Sequence, residues 1–177
     1  MQRARQGKGL LDSVKYFGKW KELLAQKRFA VQRAEDLSNT EHYLTALRWL
    51  SVTLVGKAGE RLASAMSSGQ DPSDAWNNNL MELINCSKPH SVLYVVETFY
   101  RMIDTAQDAS LKPVLKQLCD LFATHYLKQF LVHFIEHGYM TSEQAQLIRQ
   151  YELKLCQQLR PNAVPLVDAL NIPDWIL

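Results

Sequence analysis

A chain of 177 residues with 47% hydrophobic and 21% charged content has the size and composition of one ordinary globular domain with a sizeable core. Seven Gly and six Pro exclude a linker-like or fibrous chain and point to long regular elements. The net charge of +2 conceals an asymmetry: residues 1–34 hold nine Lys/Arg against Asp12 and Glu22, while the remainder holds eleven against sixteen acids.

A basic arm therefore precedes an acidic body. It either binds an acidic partner or folds back on the body. Residues 9–34 carry Leu10, Leu11, Val14, Phe17, Leu24 and Val31, a weak helical pattern cut by Gly18. They predict a peripheral arm over residues 1–36, with the bundle proper over 37–177. The arm is basic and acid-poor, as mitochondrial transit peptides are, yet Ser13 is its one serine up to residue 34 and no cleavage signal is present. Gly7-Lys8-Gly9 reads as flexible tail. Tyr16, Phe17, Trp20 and Phe29 interleave with its cations, a mixture that nucleic-acid binders and docking arms share; we expect no nucleic acid.

Ser38-Asn39-Thr40-Glu41 has the form of a capping box, in which Ser38 and Glu41 satisfy each other's free N–H groups. It predicts a helix to about Ser68 with one apolar stripe through Tyr43, Leu44, Leu47, Leu50, Leu54, Ala58, Leu62 and Ala65. Gly56 and Gly59 interrupt it at about 1 kcal/mol each, which suggests a close neighbour there. Asp71-Pro72 caps the next helix, predicted over 73–87, and Pro89 should break or kink the chain beyond it. A further helix to about Thr105 carries Val92, Val95, Val96, Phe99, Met102 and Ile103 inward.

Residues 110–137 predict the central, most buried helix. Leu111, Val114, Leu115, Leu118, Leu121, Phe122, Tyr126, Phe130 and Phe134 recur at helical spacing, and Leu127, Leu131, Val132 and Ile135 extend the apolar surface round most of the circumference. Asp120, His125, Lys128, His133 and Glu136 interrupt it, so it is no membrane span. Thr141 and Gln144 form a second capping box before a helix to Leu159, and a short helix comes after Pro161. The class is all-α: an antiparallel bundle of five or six helices.

Little in this pattern carries chemistry. His133-x-x-Glu136-His137 fits a short zinc-site pattern, with His125 two turns earlier as a possible third ligand. The motif sits at a helix end, where histidines meet the dipole favourably, and no acidic ligand motif lies downstream. We expect no metal. His42 and His90 lie near helix starts and read as structural. Cys86, Cys119 and Cys156 are far apart, odd in number and set in apolar helices, so they read as buried free thiols. No Gly-rich phosphate loop or nucleophile elbow occurs.

The segment Leu159-Arg160-Pro161-Asn162-Ala163-Val164-Pro165-Leu166-Val167-Asp168-Ala169 resembles the C-terminal region of peroxisomal acyl-CoA oxidases, where a Leu-Arg-x-x-Ala-Val-x-Leu-Val-Asp-Ala pattern ends a helix. Ala75-Trp76-Asn77 with Leu83, Ser87 and His90, and the helix from Tyr43 to Leu62, are similar to that family's segments in the same order. The resemblance covers about residues 37–174.

It implies an FAD enzyme that desaturates fatty acyl-CoA to trans-2-enoyl-CoA and releases hydrogen peroxide. The family's α-proton base is a glutamate in a Phe-Glu-Gly-Glu-Asn-like segment, which this sequence lacks, and no position matches its flavin-binding residues. No catalytic residue, cofactor-binding residue or metal ligand is therefore assigned. The expectation is a C-terminal helical domain, inactive as this chain alone and holding no FAD by itself. Its partners would be the remainder of an oxidase chain or a second subunit in a homodimer. The compartment implied is the peroxisome, although the sequence ends in Trp175-Ile176-Leu177 without a Ser-Lys-Leu signal. The alternative is an independent helical interaction module that uses the basic arm.

Overall fold

The first long helix begins one residue later than the capping box predicts. In the computed structural model, which describes residues 2–173 and 175–176, Asn39 is the N-cap, and its side chain accepts a hydrogen bond from the Glu41 N–H. Asn satisfies an exposed N–H as well as Ser does. Ser38 instead closes a short 3-10 turn, Ala34–Ser38. The described helices are α1 (Gln2–Arg5), α2 (Trp20–Ala25), α3 (Thr40–Ser67), α4 (Pro72–Asn78), α5 (Leu80–Thr105), α6 (Lys112–Gln129), α7 (Leu131–Glu136), α8 (Ser142–Leu159) and α9 (Ala163–Asp168). No strand occurs among the described residues, and the fold is the all-α bundle the periodicity implies.

Helix α3 packs on α5, α5 on α6, and α6 on α8, so neighbours along the chain are neighbours in space. Helix α3 is buried as deeply as residues 110–137. Tyr43, Ala46, Leu47, Leu50 and Val52 of α3 are fully buried, and even Ser51 and Thr53 are enclosed. Their hydroxyls stay satisfied by returning to the carbonyls of Leu47 and Trp49 in the preceding turn. In the 110–137 stretch, Val132 and Ile135 face outward and Phe122 is half-buried. That helix also breaks. Phe130 adopts φ −91°, ψ 4°, ends α6 and starts α7, and both Phe130 and Phe134 remain in the core. Gly138 then turns the chain at φ 66°, and the Tyr139 N–H returns to the Phe134 carbonyl, as at many helix ends.

Pro89 neither breaks α5 nor ends it. A proline inside a helix costs about 3 kcal/mol, and here it lies buried within a helix of 26 residues packed on α3 and α6. The break comes at Asn79, whose side chain donates to the Ala75 carbonyl and stops α4. The Asp71 cap and N1 proline of α4, and the reciprocal Thr141–Gln144 box of α8, form as the residues predict.

The segment after α2 runs extended into the body. Phe29, Val31 and Leu37 are buried in the main core. The Phe29 N–H donates to the Tyr139 carbonyl, and the Gln144 side chain donates to the carbonyls of Phe29 and Val31, both at 2.8 Å. Upstream, Phe17 and Leu23 pack on Val52 of α3 as a smaller cluster. The basic arm thus folds back on the body.

A Cβ built at Gly56 or Gly59 meets nothing within 4 Å, so no close neighbour explains either glycine. Both lie inside α3. Gly59→Ala should therefore stabilise the chain by about 0.5–1 kcal/mol. A urea midpoint unchanged or lowered relative to the parent would contradict this.

Candidate functional site

The chemistry-bearing residues singled out by sequence are drawn apart. His133, Glu136 and His137 lie at the end of α7 and line a recess of about 290 Å³ with Lys57 and Arg61 of α3 and Glu82 of α5. His133 Nδ1 stands 3.8 Å from the Glu136 carboxylate, and Arg61 is ion-paired with Glu82. His125 points elsewhere. Its Nδ1 lies 3.2 Å from Glu152 of α8, which also takes two hydrogen bonds from Lys128. Among the described residues no group of three His, Cys, Asp or Glu could hold a metal ion. His42 meets Phe29 edge-on, and His90 shares a hydrogen bond with the Tyr16 hydroxyl at 3.0 Å.

His137 is the unusual member. Both ring nitrogens are buried without a hydrogen-bond partner, and the ring stands edge-on to Trp49. Burial, and then the charge of Lys57, hold its imidazole below the ordinary histidine range. The neutral ring is thus favoured in the folded chain. As pH falls below about 6.5, the unfolded chain takes up a proton that the folded chain resists, so the stability present above that pH is lost. His137→Phe removes this contribution. Between pH 7.5 and 5.5 the variant should lose less stability than the parent, read as urea midpoints; an equal loss would refute the assignment.

The cysteines differ from the expected uniform burial. Cys119 is fully enclosed between α6 and α5, and burial pushes its thiol up to about 12. Cys86 is half-buried and Cys156 is exposed. Cys156 falls on the outer face of α8, because Ala145, Ile148, Tyr151, Leu155 and Leu159 already fill the inward stripe.

The second polar feature is a buried carboxylate. Asp120 of α6 is 2% exposed. It accepts hydrogen bonds from the Tyr100 hydroxyl of α5 and from Lys116 Nζ at 2.7 Å, and Lys116 also donates to the Ser38 carbonyl. Burial first, then the hydrogen bond to Asp120, raise the Tyr100 phenol above its usual range. The group joins α5, α6 and the turn before α3, and the Asp120 carboxylate takes hydrogen bonds from both Tyr100 and Lys116.

What remains open to a partner is apolar. Leu80, Ile84, Val95 and Met102 of α5 share one helical face by spacing, and all four are exposed. Trp76 of α4 and Met81 add to the exposed apolar surface, at 51% and 66% exposure. Val95 and Met102 read as core positions in sequence. The apolar pattern of α5 covers more than one face, and α3 and α6 take only part of it. Beyond α8, Arg160–Asn162 forms a 3-10 turn, and the exposed Val164 and Val167 lie on α9.

Similarity to known proteins runs along this whole architecture. The family model for acyl-CoA oxidase matches residues 39–177. The peroxisomal acyl-coenzyme A oxidase 2 of Rattus norvegicus is 29% identical over 151 residues, which cover 85% of this chain and 22% of the rat protein. Acyl-CoA oxidase 1 of Arabidopsis thaliana superposes with a TM-score of 0.85 at 30% identity, over 98% of this chain and 26% of the plant chain. Acyl-CoA oxidase-2 of Caenorhabditis elegans, solved bound with FAD, ascaroside-CoA and ATP, superposes with a TM-score of 0.74 at 27% identity and similar coverage. The chain therefore spans about a quarter or less of the oxidases it matches. With the family model matched over residues 39–177 and the fold shared with a solved oxidase, the chain belongs to the acyl-CoA oxidase family.

Proposed function

We propose that the chain serves as the C-terminal helical domain of an FAD-dependent acyl-CoA oxidase, which converts fatty acyl-CoA to trans-2-enoyl-CoA with release of hydrogen peroxide during fatty-acid β-oxidation. The observation that carries this reading is coverage: 98% of the chain superposes on 26% of a plant oxidase. Residues 37–177 act as the bundle, and residues 1–36 as the arm laid along it. The peroxisome is the compartment, by analogy with the rat relative.

In this reading no flavin site is assigned to this chain's own residues. The recess beside His137 holds about 290 Å³, and along it Arg61 pairs with Glu82 and His133 faces Glu136, with Lys57 beside them. An acyl-CoA oxidase also needs a base at the substrate's α-carbon and a cofactor at its β-carbon. In this reading the rest of an oxidase chain supplies both. The domain contributes shape: the exposed face of α5, with Trp76 and Met81, becomes buried against that remainder or a second subunit.

A chimera tests the proposal. The matching quarter of the plant oxidase is replaced by this chain, and flavin absorbance and peroxide release on a long-chain acyl-CoA are monitored. The chimera should hold flavin and turn over, while this chain mixed with FAD and acyl-CoA should give no peroxide above a no-protein control. A folded chimera without flavin, or steady turnover by the chain alone, would sink the reading.

A further inference from the structure

The outward face of the basic arm has no role in that reading, and it has a definite composition. Between residues 3 and 28 stand eight Lys/Arg, all of them exposed. Among the described residues, Lys15 with Asp12 is the single ion pair they make. Seven cations are thus left to solvent.

Helix α2 organises them. Leu23 points inward onto Val52, so the opposite side of the helix faces out. Lys21 and Leu24 lie toward that outer side, while the half-buried Trp20 packs at the margin of the Phe17–Leu23–Val52 cluster and keeps one edge open beside them. Arg5 and Lys21 each lie 5.6 Å from the centre of the Trp20 ring. Arg5, Lys19, Trp20 and Lys21 surround a shallow recess of about 640 Å³, in which Glu22 is the sole carboxylate. Leu24 is 39% exposed, and Leu11, just before the 3-10 turn that leads to α2, is 78% exposed.

Two kinds of polyanion could meet such a face, and the details separate them. Single-stranded nucleic acid gains much of its binding from bases stacked on open aromatic rings. The Trp20 ring is instead covered by two cations. Protruding leucines among lysines offer nothing to a phosphate backbone, but they suit an interface where acyl chains lie beneath charged headgroups. A tryptophan ring sits well at that depth, and lysine stems reach back to the headgroups. The body beyond residue 34 carries five surplus acids, so on net charge an anionic surface favours the arm over the body.

We propose that the face formed by Trp20, Lys21 and Leu24, with Arg5 and Lys19, docks the chain on the surface of an anionic lipid bilayer. The mode is peripheral, since no helix among the described residues is long and apolar enough to cross a membrane. Attraction is worth on the order of fivefold in affinity per cation near such a surface, so the cluster suffices for reversible attachment.

The test uses the 177-residue chain and vesicles of phosphatidylcholine with or without about 30% phosphatidylserine, a charge density typical of anionic leaflets. Co-sedimentation should occur with the anionic vesicles alone and weaken as salt rises. Lys19→Glu combined with Lys21→Glu should weaken binding at least about 25-fold, at fivefold per cation, with the helical circular dichroism unchanged. Leu24→Ser should weaken it further without altering its salt dependence. Tryptophan emission should shift to shorter wavelength on binding, and Trp20→Phe should abolish that shift. Equal binding to neutral vesicles, no binding to anionic vesicles by the folded chain, or tighter capture of a single-stranded oligonucleotide than of vesicles would each overturn the proposal.

Discussion

Phe134→Ala should destabilise the chain by about 3–5 kcal/mol, the range for emptying a fully buried aromatic site. Phe134 has no exposed surface. Its ring lies 6.2 Å from Trp49 and 5.7 Å from Tyr139, and those two rings stack on each other at 4.1 Å with 18° between planes. The three rings join α3, α7 and the turn before α8, so a cavity here loosens three elements at once. Typical domains have only about 5–15 kcal/mol in total. Chemical denaturation monitored by circular dichroism measures the loss. Phe134→Leu should cost clearly less, because it restores most of the volume. A Phe134→Ala midpoint within error of the parent would refute this picture of the core.

Lys116→Met should cost about 2–3 kcal/mol, for a different reason. Asp120 stays enclosed, and its remaining side-chain partner is the Tyr100 hydroxyl. The Lys116 hydrogen bond to Asp120 and the one to the Ser38 carbonyl are both lost. A buried charge stripped of a partner is expensive, and the half-exposed position of Lys116 keeps the figure below that of a fully buried pair. The triple change Lys116→Met, Asp120→Leu, Tyr100→Phe should recover most of the loss, because it removes the charge together with its donors. If Lys116→Met alone is neutral, Asp120 is adequately satisfied without it and the group does not act as a unit.

Sequence reading is strongest where a local rule decides the structure. Thr141 and Gln144 close the box at the start of α8 because both partners lie within one turn. The stripe of α3 is legible because one face of one long helix meets the core. The misses occur where two local rules compete or a distant group decides. Ser38 and Asn39 are both good caps, and the preceding 3-10 turn gives the position to Asn39. Pro89 breaks a helix by local rule, yet burial against neighbouring helices holds α5 through it. The helix from 110 to 137 is apolar on nearly all sides in sequence, but the break at Phe130 lets the inward residues reach Trp49 while Val132 and Ile135 stay outside. Of the candidate site, the end motif at 159–169 points to the family, which the match over residues 39–177 supports. The docking of Phe29 and Val31 is invisible in sequence, because it depends on Tyr139 and Gln144, more than a hundred positions away.

That docking has a consequence for the order in which the chain folds. Gln144 holds Phe29 and Val31 across 115 and 113 positions. In an open chain, closing so long a loop costs about 4 kcal/mol of entropy. The successive pairings of α3 with α5, α5 with α6 and α6 with α8 join segments much nearer in sequence, so they close smaller loops. Once those helices have paired, the Tyr139–Gln144 corner stands within reach of the start of α3, and only the few residues between Val31 and Thr40 remain to be ordered. The extended segment therefore docks onto an assembled bundle and not during its assembly, and the amide of Phe29 should exchange with solvent through local release of that segment well before the bundle itself opens.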